Sequence, residues 1–320
     1  MGMSQESFVE HHQGRWREFE ELLSQLESGS ETAVVDDFSA RYRQVCRHLA
    51  VARSRGYSPA VRARLELLVE RGHTLLYRRR HRGRARRIWE YAAGGLARDV
   101  RQNRSFLVAS LLALGLPFVV VMLWVMFRPE MAVEILGLRQ MLELDMMYSS
   151  ENVDRGAEDD LMMFAFYISN NVGIALRTFG SGIMLGLGSL FILVFNGVFL
   201  GAASGYVTAA GYGEQFWPFV IGHGSFELTA IVLAGMAGLK IGVAPIWPGR
   251  RGRIDALRKA AKESVGLICG FVVMLLIAAF IEAFWSPRAT DPMVRYVVGG
   301  GLWALVLGYF ALAGRGRESG

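Results

Sequence analysis

His223 and Glu227 are the residues of this chain best placed to do chemistry. They lie one helical turn apart, and side chains at i and i+4 share a helix face. Both fall inside WPFVIGHGSFELTAIVLAGMAGLKIG, Trp217–Gly242, a stretch that can cross a bilayer, which takes roughly 20 mostly apolar residues. A carboxylate there costs about 3 kcal/mol unless it is paired, protonated or facing water. Three chemistries would use the pair. One is a metal site built from His223, Glu227 and Glu282, since zinc accepts imidazole and carboxylate. One His with two Glu is not the usual zinc set, however, and the chain has no HExxH motif. The second is a proton relay in a transporter, because burial brings His and Glu to titrate near neutral pH. The third is a polar latch that fixes helix packing, or a pocket for a lipid headgroup or a partner span.

Other polar residues share the same depth. With a rise of 1.5 Å per residue, His223 lies ~9 Å and Glu227 ~15 Å from the outer end of their span. Asn170 and Asn171 lie ~14–15 Å below the outer end of another span, Asn196 ~15 Å below that of a third, and Glu282 ~5 Å below that of a fourth. Random polar contacts need not converge in depth, so these residues mark a shared intramembrane cavity. Arg177, at an inner helix end, is a further candidate partner for Glu227. Blander readings stand beside this one. Asn often only bonds across membrane helices, for about 0.6 kcal/mol on average, and Glu282 is near enough to the interface to snorkel.

The elements that must position these residues are helices. Residues 1–104 are polar and Arg-rich, and residues 105–320 are mostly apolar. The expected fold is therefore all-α: an integral membrane protein with about six transmembrane helices behind a cytosolic helical head. The spans are expected at 106–127, 161–179, 182–206, 217–242, 263–285 and 294–314. Glycines at GxxxG spacing in the third span, Gly182 and Gly186, then Gly197, Gly201 and Gly205, let helix backbones approach closely. MAVEILGLRQMLELDMMY, Met131–Tyr148, is amphipathic and reads as a helix lying on the outer interface.

The head reads as three amphipathic helices. The first covers residues 5–28 and buries Phe8, Trp16, Phe19, Leu22, Leu23 and Leu26. The second starts near Asp36 or Asp37 and buries Phe38, Tyr42, Val45, Cys46, Leu49 and Val51. The third follows Pro59 and buries Leu65, Leu67, Leu68, Val69, Leu75, Leu76 and Tyr77. His48 and His73 have no metal spacing and are read as ordinary surface or packing residues. Cys46 and Cys269 form no pair or metal motif and are read as small buried residues. The N-terminus has no apolar signal-peptide core, so the head is expected to start in the cytosol.

The formal net charge is +6, with arginine in excess over lysine. The basic run YRRRHRGRARR, Tyr77–Arg87, could bind phosphate, but it lies shortly before the first span, where basic residues set topology and meet anionic headgroups. The lipid surface, not nucleic acid, is its expected partner. Counting Lys and Arg puts the basic 247–262 loop and the Arg315/Arg317 tail inside with the head, and the outer 207–216 loop carries neither residue. Six crossings with both termini cytosolic satisfy every loop.

The runs NNVGIALRTFGSGIMLGLGSLFILVFNGVFLGA, GHGSFELTAIVLAGMAGLKIG and IEAFWSP resemble the stage II sporulation protein M family of polytopic bacterial membrane proteins. The likeness covers about Met163–Pro287 and includes the Asn196-Gly197 pair, with Gly222 in place of the family's proline before His223. The namesake of that family is a scaffold holding two peptidoglycan-degrading proteins at a septal membrane. The resemblance implies a non-enzymatic organiser in the bacterial cytoplasmic membrane with other envelope membrane proteins as partners. For the head it implies a cytosolic, ATPase-type partner, and a homo-oligomer is a further expectation. No cofactor is expected, with zinc at His223, Glu227 and Glu282 the exception to test. The runner-up is a proton-coupled transporter or lipid flippase using His223 and Glu227. The third reading is an intramembrane metal-dependent hydrolase. The chain shows no ATP-binding loop, no GxSxG and no catalytic Cys–His pair.

Overall fold

The computed structural model of the chain describes residues 4–27, 37–149, 157–288 and 291–315, with the side chains of 76–85, 149 and 157 left aside. All regular secondary structure among the described residues is helical. The chain divides into two compact units, Met1–Trp89 and Glu90–Gly320. The side chains of Leu76 and Tyr77, the basic ones from Arg78 to Arg84, the break at Ser28–Ser30, Asp36, the acids Glu151 and Asp154, and Arg317 fall outside the described residues.

The first unit holds α1 (Gln5–Glu27), α2 (Phe38–Ser54) and most of α3 (Pro59–Glu90). Its core is the set that helical periodicity picks out: Phe8, Trp16, Phe19, Leu23 and Leu26 from α1, Phe38, Val45 and Leu49 from α2, and Leu65, Leu68 and Leu75 from α3. Leu67 departs from that expectation and is 51% exposed. It follows Leu65 and precedes Leu68, and a helix of 3.6 residues per turn cannot send all three to one side. Asp37 is the N-cap residue of α2, but its carboxylate accepts from Arg41 Nε at 2.7 Å and makes no cap bond.

The second unit opens with a π-helical turn, Tyr91–Gly95, and the short α4 (Leu96–Gln102). Then come α5 (Arg104–Phe127), α6 (Met131–Leu136), α7 (Leu138–Ser149), α8 (Ala157–Gly180), α9 (Leu187–Ala209), α10 (Gly213–Val243), α11 (Arg253–Phe280) and α12 (Pro292–Leu312). Five of these helices are long and apolar enough to cross a membrane: α5, α9, α10, α11 extended to Trp285, and α12. The second expected span, within α8, is not among them, because Asn170, Asn171 and Arg177 dilute its apolar character. The interfacial segment is two helices rather than one, broken at Gly137, whose φ of 78° is a left-handed conformation.

α10 is the hub. It packs against α5, α8, α9, α11 and α12, and from Ala230 to Leu239 every one of its residues is buried. A helix apolar all round belongs in such a core position. By contrast α5 turns Leu111, Leu112, Leu116, Val120 and Leu123 outward, as a helix solvated by lipid does.

The third expected span begins later than its glycines suggest. Gly182 lies in a 3-10 turn, Ser181–Ile183, and Gly186 has φ 82° just before α9. Both sit in the α8–α9 turn and press on α10, where Gly238 and Gly242 receive them. Gly197, Gly201 and Gly205 are inside α9 and face α5. A Cβ at Gly201 would lie 2.5 Å from the Phe118 carbonyl oxygen, and one at Gly205 would lie 2.6 Å from that of Met122. Gly197 meets the Leu114 carbonyl in the same way. Cys269 is exposed on α11 rather than buried, and Cys46 is partly buried.

Candidate functional site

α10 carries His223 and Glu227 on one face, as their spacing requires. His223 Nε2 lies 3.9 Å from Glu227 Oε2. The third member comes from the end of α11. There the helix passes into a π-helical turn, Ile281–Trp285, which contains Glu282. A π-turn inserts one residue into the helical count and re-aims the side chains after it. With that turn in place, His223, Glu227 and Glu282 each offer a donor atom within 4.8 Å of the other two.

The triad is largely enclosed by protein. His223 is 5% and Glu282 9% exposed, and Glu282 Oε2 is fully covered with no hydrogen-bond partner. Glu227 is nearly as enclosed. The Phe219 ring stands edge-on to His223 at 5.2 Å between centroids. On the other side of the imidazole, His223 Nδ1 lies 3.5 Å from Ser286 Oγ, and Ser286 is completely buried. The residue before His223 has a packing reason to be glycine. A Cβ on Gly222 would lie 2.8 Å from Cζ3 of Trp285, so the bare backbone lets the π-turn close against α10. Sequence reasoning missed Ser286 and the Gly222–Trp285 contact. The GHG and IEAFWSP runs held these residues, but no spacing rule joins positions 63 residues apart.

The other expected members are satisfied elsewhere. Asn170 donates to Asn171 Oδ1 at 2.9 Å, and Asn196 donates to the Ile192 carbonyl of its own helix at 2.8 Å. Arg177 is exposed and donates to the Gly173 carbonyl at 3.0 Å rather than to Glu227. Beyond the triad, Arg288 donates to the buried Asp160 at 3.1 Å. Tyr206 donates to Asp145, and Lys240 pairs with Glu263 at 3.1 Å. Tyr148 of α7 stands edge-on to Phe216 at 5.6 Å between centroids, and burial, and after it the neighbouring Glu282, push its hydroxyl up to about 12.

Chemically, two carboxylates and one imidazole in an enclosed apolar setting can share protons, form an ion pair, or bind a cation. A family model described as Stage II sporulation protein M matches residues 111–287, which include all three side chains. A second, described as a domain of unknown function (DUF8413), matches residues 6–78, inside the first unit. An uncharacterized protein of Methanocaldococcus jannaschii is 24% identical over 127 residues, covering 39% of this chain and 71% of that protein. No solved structure matches the chain.

Proposed function

The chain belongs to the stage II sporulation protein M family, and from that premise we propose that it is a non-enzymatic membrane organiser. Its body gathers envelope membrane proteins, and its head docks a cytosolic, ATPase-type partner. The observation that carries this reading is the way the membrane unit is locked. Glycines of α9 press their backbone onto α5, and those of the α8–α9 turn press onto α10. Alternating access rocks one bundle against another around a central site. Backbone-to-backbone contact at both interfaces resists such sliding and suits a platform.

The platform is read as six crossings in the bacterial cytoplasmic membrane with both termini cytosolic. Arg101 donates to the carbonyls of Phe310 and Ala313, at 2.8 and 2.7 Å, and Tyr309 donates to that of Ala92. The start of α5 and the end of α12 therefore lie at one membrane face, which supports an even number of crossings. With five helices that qualify outright, the sixth is α8.

Affinity purification of the tagged full-length protein from cross-linked cells tests the organiser. The same envelope proteins are expected with wild type and with Glu227→Gln, provided the variant elutes as a folded species. If proteoliposomes show a proton flux that the folded Glu227→Gln variant abolishes while no partner is retained, the transporter reading replaces this one.

A further inference from the structure

We propose that His223, Glu227 and Glu282 hold one divalent transition-metal ion, zinc by preference, which clamps the outer end of α10 to the end of α11. The inference is independent of the organiser reading and stands on four observations.

The first is convergence. Three side chains of metal-ligating type, from two separate segments, bring donor atoms within 4.8 Å of one another. Donors around one zinc sit about 3.3 Å apart, given bonds of about 2.0 Å in a tetrahedron, so modest side-chain rotations complete the set. The second is charge. Two carboxylates in a membrane interior need neutralising, and three of the basic side chains of the membrane unit are engaged elsewhere: Arg177 on its own helix, Lys240 with Glu263, and Arg288 with Asp160. A dication cancels both carboxylates at once.

The third is the orphaned oxygen. Glu282 is nine-tenths buried, and its Oε2 has no partner. Buried polar atoms in folded proteins are nearly always satisfied, so such an atom calls for an explanation. The fourth is the support behind the imidazole. A metal-bound His nearly always gives its other ring N–H to an outer partner, which fixes the ring and its tautomer. Ser286 Oγ occupies that place at 3.5 Å from Nδ1, and Nε2 is left facing Glu227. The π-turn that delivers Glu282 also carries Trp285, and Gly222 admits that indole against α10.

Donor type narrows the metal. Imidazole favours zinc and its transition-metal neighbours over magnesium or calcium, which prefer all-oxygen shells. Three protein donors leave a fourth tetrahedral position for water or a ligand oxygen.

Elemental analysis of the detergent-purified full-length protein, after equilibration with zinc and removal of excess, tests the site. About one zinc per chain is expected in wild type. Less than a tenth of that is expected in Glu282→Gln and in His223→Ala, with folding checked by gel filtration. Glu282→Gln keeps the side-chain shape and carries the test if His223→Ala does not fold. X-ray absorption on the wild type gives a readout that needs no variant: a shell of N and O near 2.0 Å with imidazole scattering is expected. A folded wild type that takes up no zinc, manganese or iron overturns the proposal and leaves a proton shared between the carboxylates. Metal that survives both substitutions in folded protein, or a sulfur shell, also overturns it.

Discussion

Trp16 Nε1 donates to His48 Nδ1 at 2.9 Å inside the head, so the imidazole must be neutral for that bond to exist. Burial, then the neighbouring His12, Arg15 and Arg47, pull the His48 pKa down to about 4. His12 stacks on it at 4.1 Å and is itself lowered, first by burial. Between pH 6.5 and about 4 the unfolded head binds a proton at position 48 and the folded head does not. Stability therefore falls as pH drops through that window, by up to about 3 kcal/mol from this residue. Hydrogen exchange of α1 and α2 in the full-length protein, corrected for intrinsic rates, should show protection fading from pH 6.5 to 4.5. In His48→Asn, whose amide oxygen still accepts from Trp16, the fading should be clearly shallower; an unchanged pH profile would assign it to other groups. The sequence places His48 on a mixed helix face and no more, because the partner that decides its state is 32 residues away.

At the scale of elements, the informative cases are those where regular spacing and actual geometry part. Gly182 and Gly186 fit the same GxxxG pattern as Gly197, Gly201 and Gly205, yet only the second set lies within an α-helix. The pattern reports that small residues are needed; it does not report which backbone they admit. Likewise Glu282 is legible as an acidic residue near a span end, but the π-turn that swings it toward His223 has no period a sequence can display. The glycine contacts give a graded test. Gly201→Ala drives a methyl into the Phe118 carbonyl, whereas Gly301→Ala on α12 meets nothing within 4 Å. Overpacking costs about 1–3 kcal/mol, and here the obstacle is backbone, which cannot rotate away. Thermal unfolding in detergent should drop sharply for Gly201→Ala and hardly move for Gly301→Ala. Equal behaviour of the two would mean that α5 and α9 separate at little cost.

For the molecule as a whole, the all-helical class, the amphipathic core of the head and the five strongly apolar helices were all legible, because each rests on composition or a short period. The sixth crossing was harder. α8 is the helix that carries Asn170, Asn171 and Arg177, so polarity argues against it while loop charge argues for it. The contact of Arg101 with the end of α12 supports the six-crossing proposal: helix ends held at one face favour an even count, and with five strongly apolar helices α8 is the candidate for the sixth. In a variant with Cys46 and Cys269 replaced by serine, a cysteine at exposed Ala210, between α9 and α10, should react with a membrane-impermeant maleimide in intact cells. A cysteine at exposed Arg251, between α10 and α11, should react only after permeabilisation. The two positions flank a single helix and fix its direction alone, so a third cysteine at exposed Glu130, between α5 and α6, completes the count. With α8 crossing, α8 and α9 together return the chain to the face it left, and positions 130 and 210 label alike. If α8 does not cross, α9 alone separates them and they label oppositely, which would leave five crossings and put the two ends of the membrane unit on opposite faces despite their contact.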